Sequence, residues 1–455
     1  MEGNPGHQAG SRIAGTRPFR EQESPGAREP ESKPQLVSIE KPIYGGAFLA
    51  RFEGKAVFVP LALAGEVVRA RVMEAKRGYA TAEVDEIVQA APERVAPRCP
   101  HFGACGGCNY QHAEYAAQLA IKQTILRETL ERGGVRAPDE IPVLSGEPWQ
   151  YRNRIRLAFD AEGRIGYRGR RSHDVVPIAE CPIAVPLVAH AAKAAEEIVR
   201  GLARHARPDE IGLFCDAEET ALLASWTAAD GRGRNLENFA KALAERIPET
   251  HGVELATPGG RGREARTIAR WGADSLSYRA AGNEYRVDQG AFFQVNRWLV
   301  DALVERVTGG HSGKLAWDLF AGVGLFARKL AEHFDRVVAV ESAPAAGPAL
   351  EENLRGTKAR AVNATTLEFL RKAAGGERPD LVVVDPPRSG LDAETTVLLA
   401  KSATPDIVYV SCDPATLARD LRALAAAGYQ LERAALVDLF PQTFHLETVA
   451  ELRHR

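Results

Sequence analysis

The chain has 455 residues, 45% of them hydrophobic, with 58 Lys plus Arg against 60 Asp plus Glu and a formal net charge of −2. That balance excludes a fully disordered chain, and the length predicts about three domains. No apolar run approaches the roughly 18 residues of a membrane helix, and the N-terminal stretch has no signal-like apolar segment, so a cytoplasmic protein with no membrane partner is expected.

Residues 1–33 are rich in Gly, Pro, Glu and Arg and nearly lack large apolar side chains, which predicts a disordered tail. Over 34–95, short β-branched and aromatic runs such as 56–59 and 66–72 are separated by Gly45-Gly46, Gly54, Gly65 and Gly78; this spacing predicts five short strands in a small closed barrel. Six cysteines are too few for a disulfide scaffold. Three of them, Cys99, Cys105 and Cys108, share one Gly-containing loop where small residues let thiolates converge, which in a cytosolic chain points to metal before disulfide. Cys181, before Pro182, is the best fourth ligand, since Cys215 lies in an apolar run and reads as core. Four thiolates suit zinc or a [4Fe–4S] cluster, and spacing does not choose between them.

A helix is predicted over about 112–132, then a strand-rich stretch from 151 to about 290 with helical insertions around 186–206 and 235–247, so that 96–290 reads as a central α+β domain. Charge is segregated within it: 12 basic and 8 acidic residues over 96–171, against 14 and 18 over 172–290. Tyr151-Arg152-Asn153-Arg154-Ile155-Arg156 and Arg164-Ile165-Gly166-Tyr167-Arg168-Gly169-Arg170-Arg171 combine Arg with Tyr, as phosphate contact with base stacking requires. A solvated strand face reads equally well from these residues alone.

Over 291–455 the apolar runs 314–320, 336–340, 380–384 and 406–410 alternate with Ala- and Leu-rich helical stretches. That alternation predicts a parallel sheet covered on both faces, with ligands at the carboxyl ends of its strands. Asp318-Leu319-Phe320-Ala321-Gly322-Val323-Gly324 leaves the first strand for a helix, and Glu341 ends the next strand. This is a nucleoside-binding turn: glycines admit the ligand close to the backbone and Glu341 is placed for ribose hydroxyls. A dinucleotide fits the glycines too. Asp318, a carboxylate suited to a sulfonium, and the abrupt strand exit at Asp385-Pro386-Pro387-Arg388 favour S-adenosylmethionine (SAM).

Ser411-Cys412-Asp413-Pro414 places a cysteine just past the fourth of these runs, on the edge that carries Asp385 and the glycine turn. Flanked by polar residues, Cys412 reads as a nucleophile, with Arg388 or a helix start favouring its thiolate. A methyl donor and a thiolate together suit carbon 5 of a pyrimidine, which becomes nucleophilic once sulfur adds to carbon 6. A base must then remove the carbon-5 proton; His445 and Glu447, two residues apart, are both candidates.

Taken together these residues resemble the SAM-dependent RNA uracil-C5 methyltransferases that carry an iron–sulfur cluster, whose members act on large-subunit ribosomal RNA or on the transfer-RNA T-loop. The resemblance covers about 34–452 and rests on Phe293-Gln294-Val295-Asn296, the glycine turn, Asp385-Pro386-Pro387-Arg388, Ser411-Cys412-Asp413-Pro414, and Phe440-Pro441-Gln442-Thr443 followed by His445-Leu446-Glu447. It implies that Cys412 is the nucleophile and Glu447 the base, that Gln294, Phe320, Glu341 and Asp385 contact SAM, and that Cys99, Cys105, Cys108 and Cys181 hold a [4Fe–4S] cluster. It also implies a TRAM-like OB barrel at 34–95 and a Rossmann-like class I methyltransferase domain at 291–455, in a monomer acting on RNA, 23S rRNA first and the T-loop as the alternative. Two positions depart from the family pattern: Leu325 replaces a frequent Asn, and Asp413 sets a carboxylate beside the nucleophile. A non-catalytic iron–sulfur RNA-binding protein and a nicotinamide oxidoreductase are the competing readings; neither gives Cys412 and Glu447 a role.

Overall fold

The computed structural model describes residues 33–228, 236–257, 266–373 and 376–455. The tail expected at 1–33 lies, except for its last residue, outside the described residues. Strands β1 (Gln35–Ile43), β2 (Ala47–Phe52), β3 (Lys55–Pro60), β4 (Val67–Ala75) and β5 (Tyr79–Gln89) close a barrel in the order β1-β2-β3-β5-β4. Alternate residues Val37, Ile39, Phe48, Ala50, Val57 and Val59 fill its interior, the period of two that a strand imposes, and closure leaves no open edge.

Helix α1 (Tyr115–Arg132) and the short strand β6 (Val143–Leu144) follow. The central sheet contains β7 (Arg154–Phe159), β8 (Ile165–Arg168), β9 (Val175–Pro177), β10 (Glu210–Cys215), β11 (Leu222–Thr227), β12 (Thr250–Thr257) and β13 (Arg266–Gly272), ordered β13-β12-β11-β10-β7-β8-β9. Helices α2 (Pro186–Arg200) and α3 (Leu236–Arg246) bury Leu187, Val188, Phe239 and Leu243 against it. Cys215 is wholly buried in this core. A hairpin of β14 (Ser275–Ala280) and β15 (Asn283–Asp288) leads to the last unit.

There, helices α4 (Val300–Thr308), α5 (Leu325–Leu330), α6 (Gly347–Asn353), α7 (Thr366–Ala373), α8 (Ala393–Lys401) and α9 (Pro414–Ala426) alternate with β16 (Gly313–Leu319), β17 (Phe334–Glu341), β18 (Ala359–Asn363), β19 (Leu381–Val384) and β20 (Asp406–Ser411). Strands β21 (Tyr429–Val437) and β22 (Glu447–His454) complete a sheet ordered β18-β17-β16-β19-β20-β22-β21-β6. Along β16, Ala316 faces one apolar core and Leu315, Trp317 and Leu319 the other, as expected of a strand buried on both faces. The first core takes in α4, α5 and the β14–β15 hairpin; the second takes in α1, α8 and α9. The architecture is thus a closed OB-like barrel followed by an α+β unit and a Rossmann-like domain.

The four sequence-predicted parallel strands are β16, β17, β19 and β20, but the sheet is not wholly parallel. β22 runs antiparallel between β20 and β21, and β6, from far upstream, pairs parallel with β21 at its edge. Strand order reverses between β16 and β19, the point at which such sheets open a crevice for a ligand. Among the described residues no helix is long and apolar enough to cross a membrane.

Candidate active site

At the switch point, Asp318 is the penultimate residue of β16; it is fully buried, and neither carboxylate oxygen has a hydrogen-bond partner among the described residues. Burial pushes its carboxyl up to about 8; the Ala327 backbone amide opposes this, while Asp385 and Glu341 add to it. The chain then turns through Phe320, Gly322 and Gly324 at φ +66°, +55° and +90°. A left-handed Phe is strained by roughly 1–2 kcal/mol. Glu341, at the end of β17, holds the turn: its carboxylate accepts from Gly322 N–H at 2.8 Å and from the Ser342 and Ala343 amides at 2.7 and 2.6 Å. A Cβ at Gly322 would meet nothing within 4 Å, whereas one at Gly324 would lie 2.9 Å from Leu350. The first glycine therefore faces open space and the second faces packed core. An orphaned buried carboxylate next to an open glycine cradle fits a cationic nucleoside such as SAM. Leu325 turns into the apolar core below.

Asp385 follows β19, and its amide donates to Leu319 at 3.3 Å, tying the two strand ends together. Cys412 follows β20. Because β20 and β22 run antiparallel with Ser411 opposite Thr448, the next step of the register sets Cys412 beside Glu447. Burial pushes the Cys412 thiol up to about 11; Glu447 and Asp385 push it further, and Arg388 draws it back by charge and hydrogen bond. Glu447 is itself raised well above the usual carboxylate range, first by burial and then by Asp385, with Arg388 opposing. Asp413 does not lie loose beside the sulfur: it caps α9, accepting from the Ala415 and Thr416 amides at 3.0 Å, where an anion is favoured. Of the two candidate bases only Glu447 stands beside Cys412. His445 lies in the preceding loop and its Nδ1 accepts from Arg388 Nη2 at 2.6 Å. Burial, with Arg388 and other cations, lowers it to about 4, so it is neutral at pH 7.

The loop entering β22 is gripped by distant residues, three of which, Tyr115, Gln118 and Lys122 of α1, belong to none of the sequence motifs. Lys122 Nζ donates to Asp438 at 2.5 Å and to the Phe440 carbonyl at 2.9 Å, with Lys122 and Asp438 both fully buried, and Tyr115 Oη also donates to Asp438. Gln118 and Gln442 bond amide to amide and to backbone at 3.0 Å, which holds Gln442 at φ +69°. Asn296 Nδ2 donates to the Leu439 carbonyl and Tyr151 Oη to that of Pro441. Gln294 is buried two residues before Asn296. One signal was present in the sequence: Gln118 and Lys122 fall on the same buried face of α1 as Ile125, Leu126 and Thr129, a polar interruption of an apolar stripe.

Two expectations are corrected. Cys99, Cys105, Cys108 and Cys181 line one cavity of about 310 Å³ together with Arg152, Tyr167 and His445, yet among the described residues no group of three or more His, Cys, Asp or Glu side chains is arranged to hold a metal. The [4Fe–4S] cluster, its ligand set and the metal-binding reading are withdrawn. Burial raises the Cys99 and Cys105 thiols and takes Cys108 up to about 12. Nor do the tyrosines offer stacking platforms: Tyr151 is wholly buried and Tyr167 points its hydroxyl at Cys181 Sγ, 3.9 Å away. Arg154 is also internal, its guanidinium 3.9 Å from the Phe214 ring centre. The exposed cations of these stretches are Arg156, Arg164, Arg168 and Arg171, of which Arg164 is paired with Asp160 at 2.7 Å.

A family model described as tRNA (Uracil-5-)-methyltransferase matches residues 272–455, and a TRAM domain model matches 31–84. An uncharacterized RNA methyltransferase of Aquifex aeolicus is 34% identical over 434 residues, spanning 93% of this chain and 99% of its own. A 23S rRNA (uracil(1939)-C(5))-methyltransferase of Halomonas elongata is 34% identical over 472 residues, spanning 97% and 94%. The crystal structure of Pyrococcus abyssi tRNA (uracil-54, C5)-methyltransferase with S-adenosyl-L-homocysteine superposes with a TM-score of 0.73 at 23% identity, covering 92% of this chain and 100% of that one, which bears on the fold. With relatives of this similarity over nearly its whole length, and with a TRAM barrel ahead of a Rossmann-like sheet, the chain belongs to the SAM-dependent RNA uracil-C5 methyltransferases.

Proposed function

We propose that this methyltransferase works through a covalent adduct of Cys412 and that its substrate is a uridine of 23S rRNA. The observation that carries the mechanism is the β20–β22 register, in which Cys412 follows Ser411 and so lies beside the buried Glu447 that precedes Thr448. SAM, when bound against Asp318, Glu341 and the Gly322 turn, supplies a methyl group on a sulfonium. Cys412 sulfur forms a bond to carbon 6 of the uracil, and the electron pair displaced to carbon 5 takes up the methyl as the sulfonium–methyl bond breaks, its electrons staying on the departing sulfur, now a neutral thioether. Glu447 then removes the carbon-5 proton, and the carbon–sulfur bond breaks with its electrons returning to sulfur.

The electrostatics order these steps. A thiolate and a carboxylate side by side repel, so the sulfur ionises most readily while Glu447 is protonated. Once the Cys412 sulfur is a neutral thioether that repulsion ends; Glu447, still held up by burial and Asp385, gives its proton to solvent and then acts as the base. Arg388 stabilises whichever anion is present. The target is supported by the activity of the Halomonas relative, a 23S rRNA (uracil(1939)-C(5))-methyltransferase; the same reading makes the enzyme cytoplasmic.

Purified protein with methyl-labelled SAM and ribosomal or transfer RNA tests the reading. Label at uracil carbon 5 of 23S rRNA is expected; label confined to transfer RNA would move the target to the T-loop, and none on either would overturn the reading. Cys412→Ser is expected to abolish turnover. Glu447→Gln is expected to accumulate a protein–RNA adduct stable to denaturing electrophoresis, and its rapid release would remove Glu447 as base.

A further inference from the structure

Tyr44 carries the barrel into the catalytic domain. Tyr44 sits at the tip of the β1–β2 hairpin, before Gly45 and Gly46, whose φ values of +102° and +85° turn the chain. Its hydroxyl donates to the Cys412 carbonyl at 3.3 Å. Its ring meets Phe444 edge to face, with centres 5.6 Å apart, and Phe444 in turn lies against His445 with the rings tilted by 40° and their centres 4.3 Å apart. The exchange is reciprocal: Tyr44 packs against the core beneath β20, while Phe444 packs against the interior cluster of the barrel. Behind the tip, Lys41 of β1 pairs with Glu128 of α1 at 2.7 Å, and a Cβ on Gly46 would lie 3.1 Å from Asn109, whose side chain accepts from the Phe444 amide.

We propose that Tyr44 is a positioning residue for the methyl-transfer reaction: the barrel contributes it to hold the Cys412 loop and the Phe444–His445 loop in register, so that the catalytic site is complete only with the barrel docked. The backbone of Cys412 and the loop leading into Glu447 have one ring and one hydroxyl in common, both supplied by a different domain. Holding two loops in fixed relation lowers the entropy that adduct formation must otherwise overcome. This rests on Cys412 being the nucleophile.

The test uses the full chain and RNA substituted with 5-fluorouridine, which halts the reaction after methyl transfer because carbon 5 carries no removable proton. Single-turnover adduct formation is followed in the wild type, Tyr44→Phe and Tyr44→Leu. Tyr44→Phe keeps the ring and is expected to slow adduct formation by about 3- to 10-fold, the weight of one hydrogen bond, with RNA affinity and melting temperature unchanged. Tyr44→Leu is expected to slow it further, with partial recovery in a variant carrying Trp at the same position. Wild-type adduct rates in Tyr44→Phe and Tyr44→Leu would overturn the proposal, as would a raised KM for RNA at unchanged kcat, which would make Tyr44 an RNA contact. Absence of adduct in the wild type would instead overturn the nucleophile assignment itself.

Discussion

At the residue scale, the two glycines of the turn separate ligand space from packing space. Both sit at positive φ, where an added Cβ costs roughly 1–2 kcal/mol, but only Gly324 also meets a neighbour, Leu350. Gly324→Ala is therefore expected to lose more stability than Gly322→Ala in denaturant unfolding, while Gly322→Ala loses more SAM affinity by calorimetry. The opposite ranking would mean that the open side of Gly322 is not where the cofactor lies. The Cys412 thiol, held near 11 in the free protein, gives a second expectation. Below that value the thiolate fraction rises about tenfold per pH unit, so the rate of adduct formation should climb with pH across 6.5–9 wherever chemistry limits it. Arg388 lowers that pKa, so Arg388→Met should slow adduct formation at saturating RNA by a constant factor across pH 6.5–9, where the thiol lies well below its pKa in both proteins; an unchanged adduct rate at saturating RNA with weakened RNA binding would assign Arg388 to RNA binding alone.

At the element scale, the segment that delivers Glu447 to Cys412 depends on α1. Lys122 and Asp438 are both solvent-inaccessible, and removing one partner of such a pair strands the other charge, at a cost of about 3–5 kcal/mol. Lys122→Met is expected to show this loss in urea unfolding, and Lys122→Met with Asp438→Leu to recover much of it; an equal loss in single and double variants would show the pair to matter for shape alone. The same elements mark what the sequence could reveal. The β-branched runs of β16, β17, β19 and β20 and the alternating barrel strands were legible because burial on two faces or one leaves a distinct periodicity. β6 has only two residues, too few for any pattern, and joins the sheet solely through pairing with β21. Cys412 and Glu447 were legible as motifs, but their adjacency depends on an antiparallel register that a reading of parallel strands does not supply. The cysteine loop misled in the other direction: close spacing along the chain brings thiols to one cavity without fixing the tetrahedral approach that a metal needs.

At the scale of the whole molecule, a net charge of −2 gives no general attraction to RNA, so the phosphate path must come from a few exposed cations. Arg156 borders three adjoining hollows, one of them the cysteine cavity that reaches His445, and a second shared with Arg168 and Arg171. These arginines thus lead along the central sheet toward the catalytic edge. Arg170, in the same stretch, is instead engaged by Glu83 of the barrel at 2.9 Å, and so serves assembly more than phosphate. Each phosphate contact releases a counterion, giving a log–log salt slope of about −0.7 per contact on single strands and −0.9 on duplex. Arg156→Ala and Arg171→Ala are each expected to weaken RNA binding and to flatten that slope by somewhat less than one unit, with kcat at saturating RNA unchanged. Arg453 supplies the control: it is exposed, but it pairs with Asp406 at 3.0 Å at the start of β20, the end of that strand remote from Cys412. Arg453→Ala should leave the slope as it was. If all three substitutions flattened it equally, the attraction would be a diffuse property of the surface, and the arginine path toward His445 would have no special part in guiding the RNA.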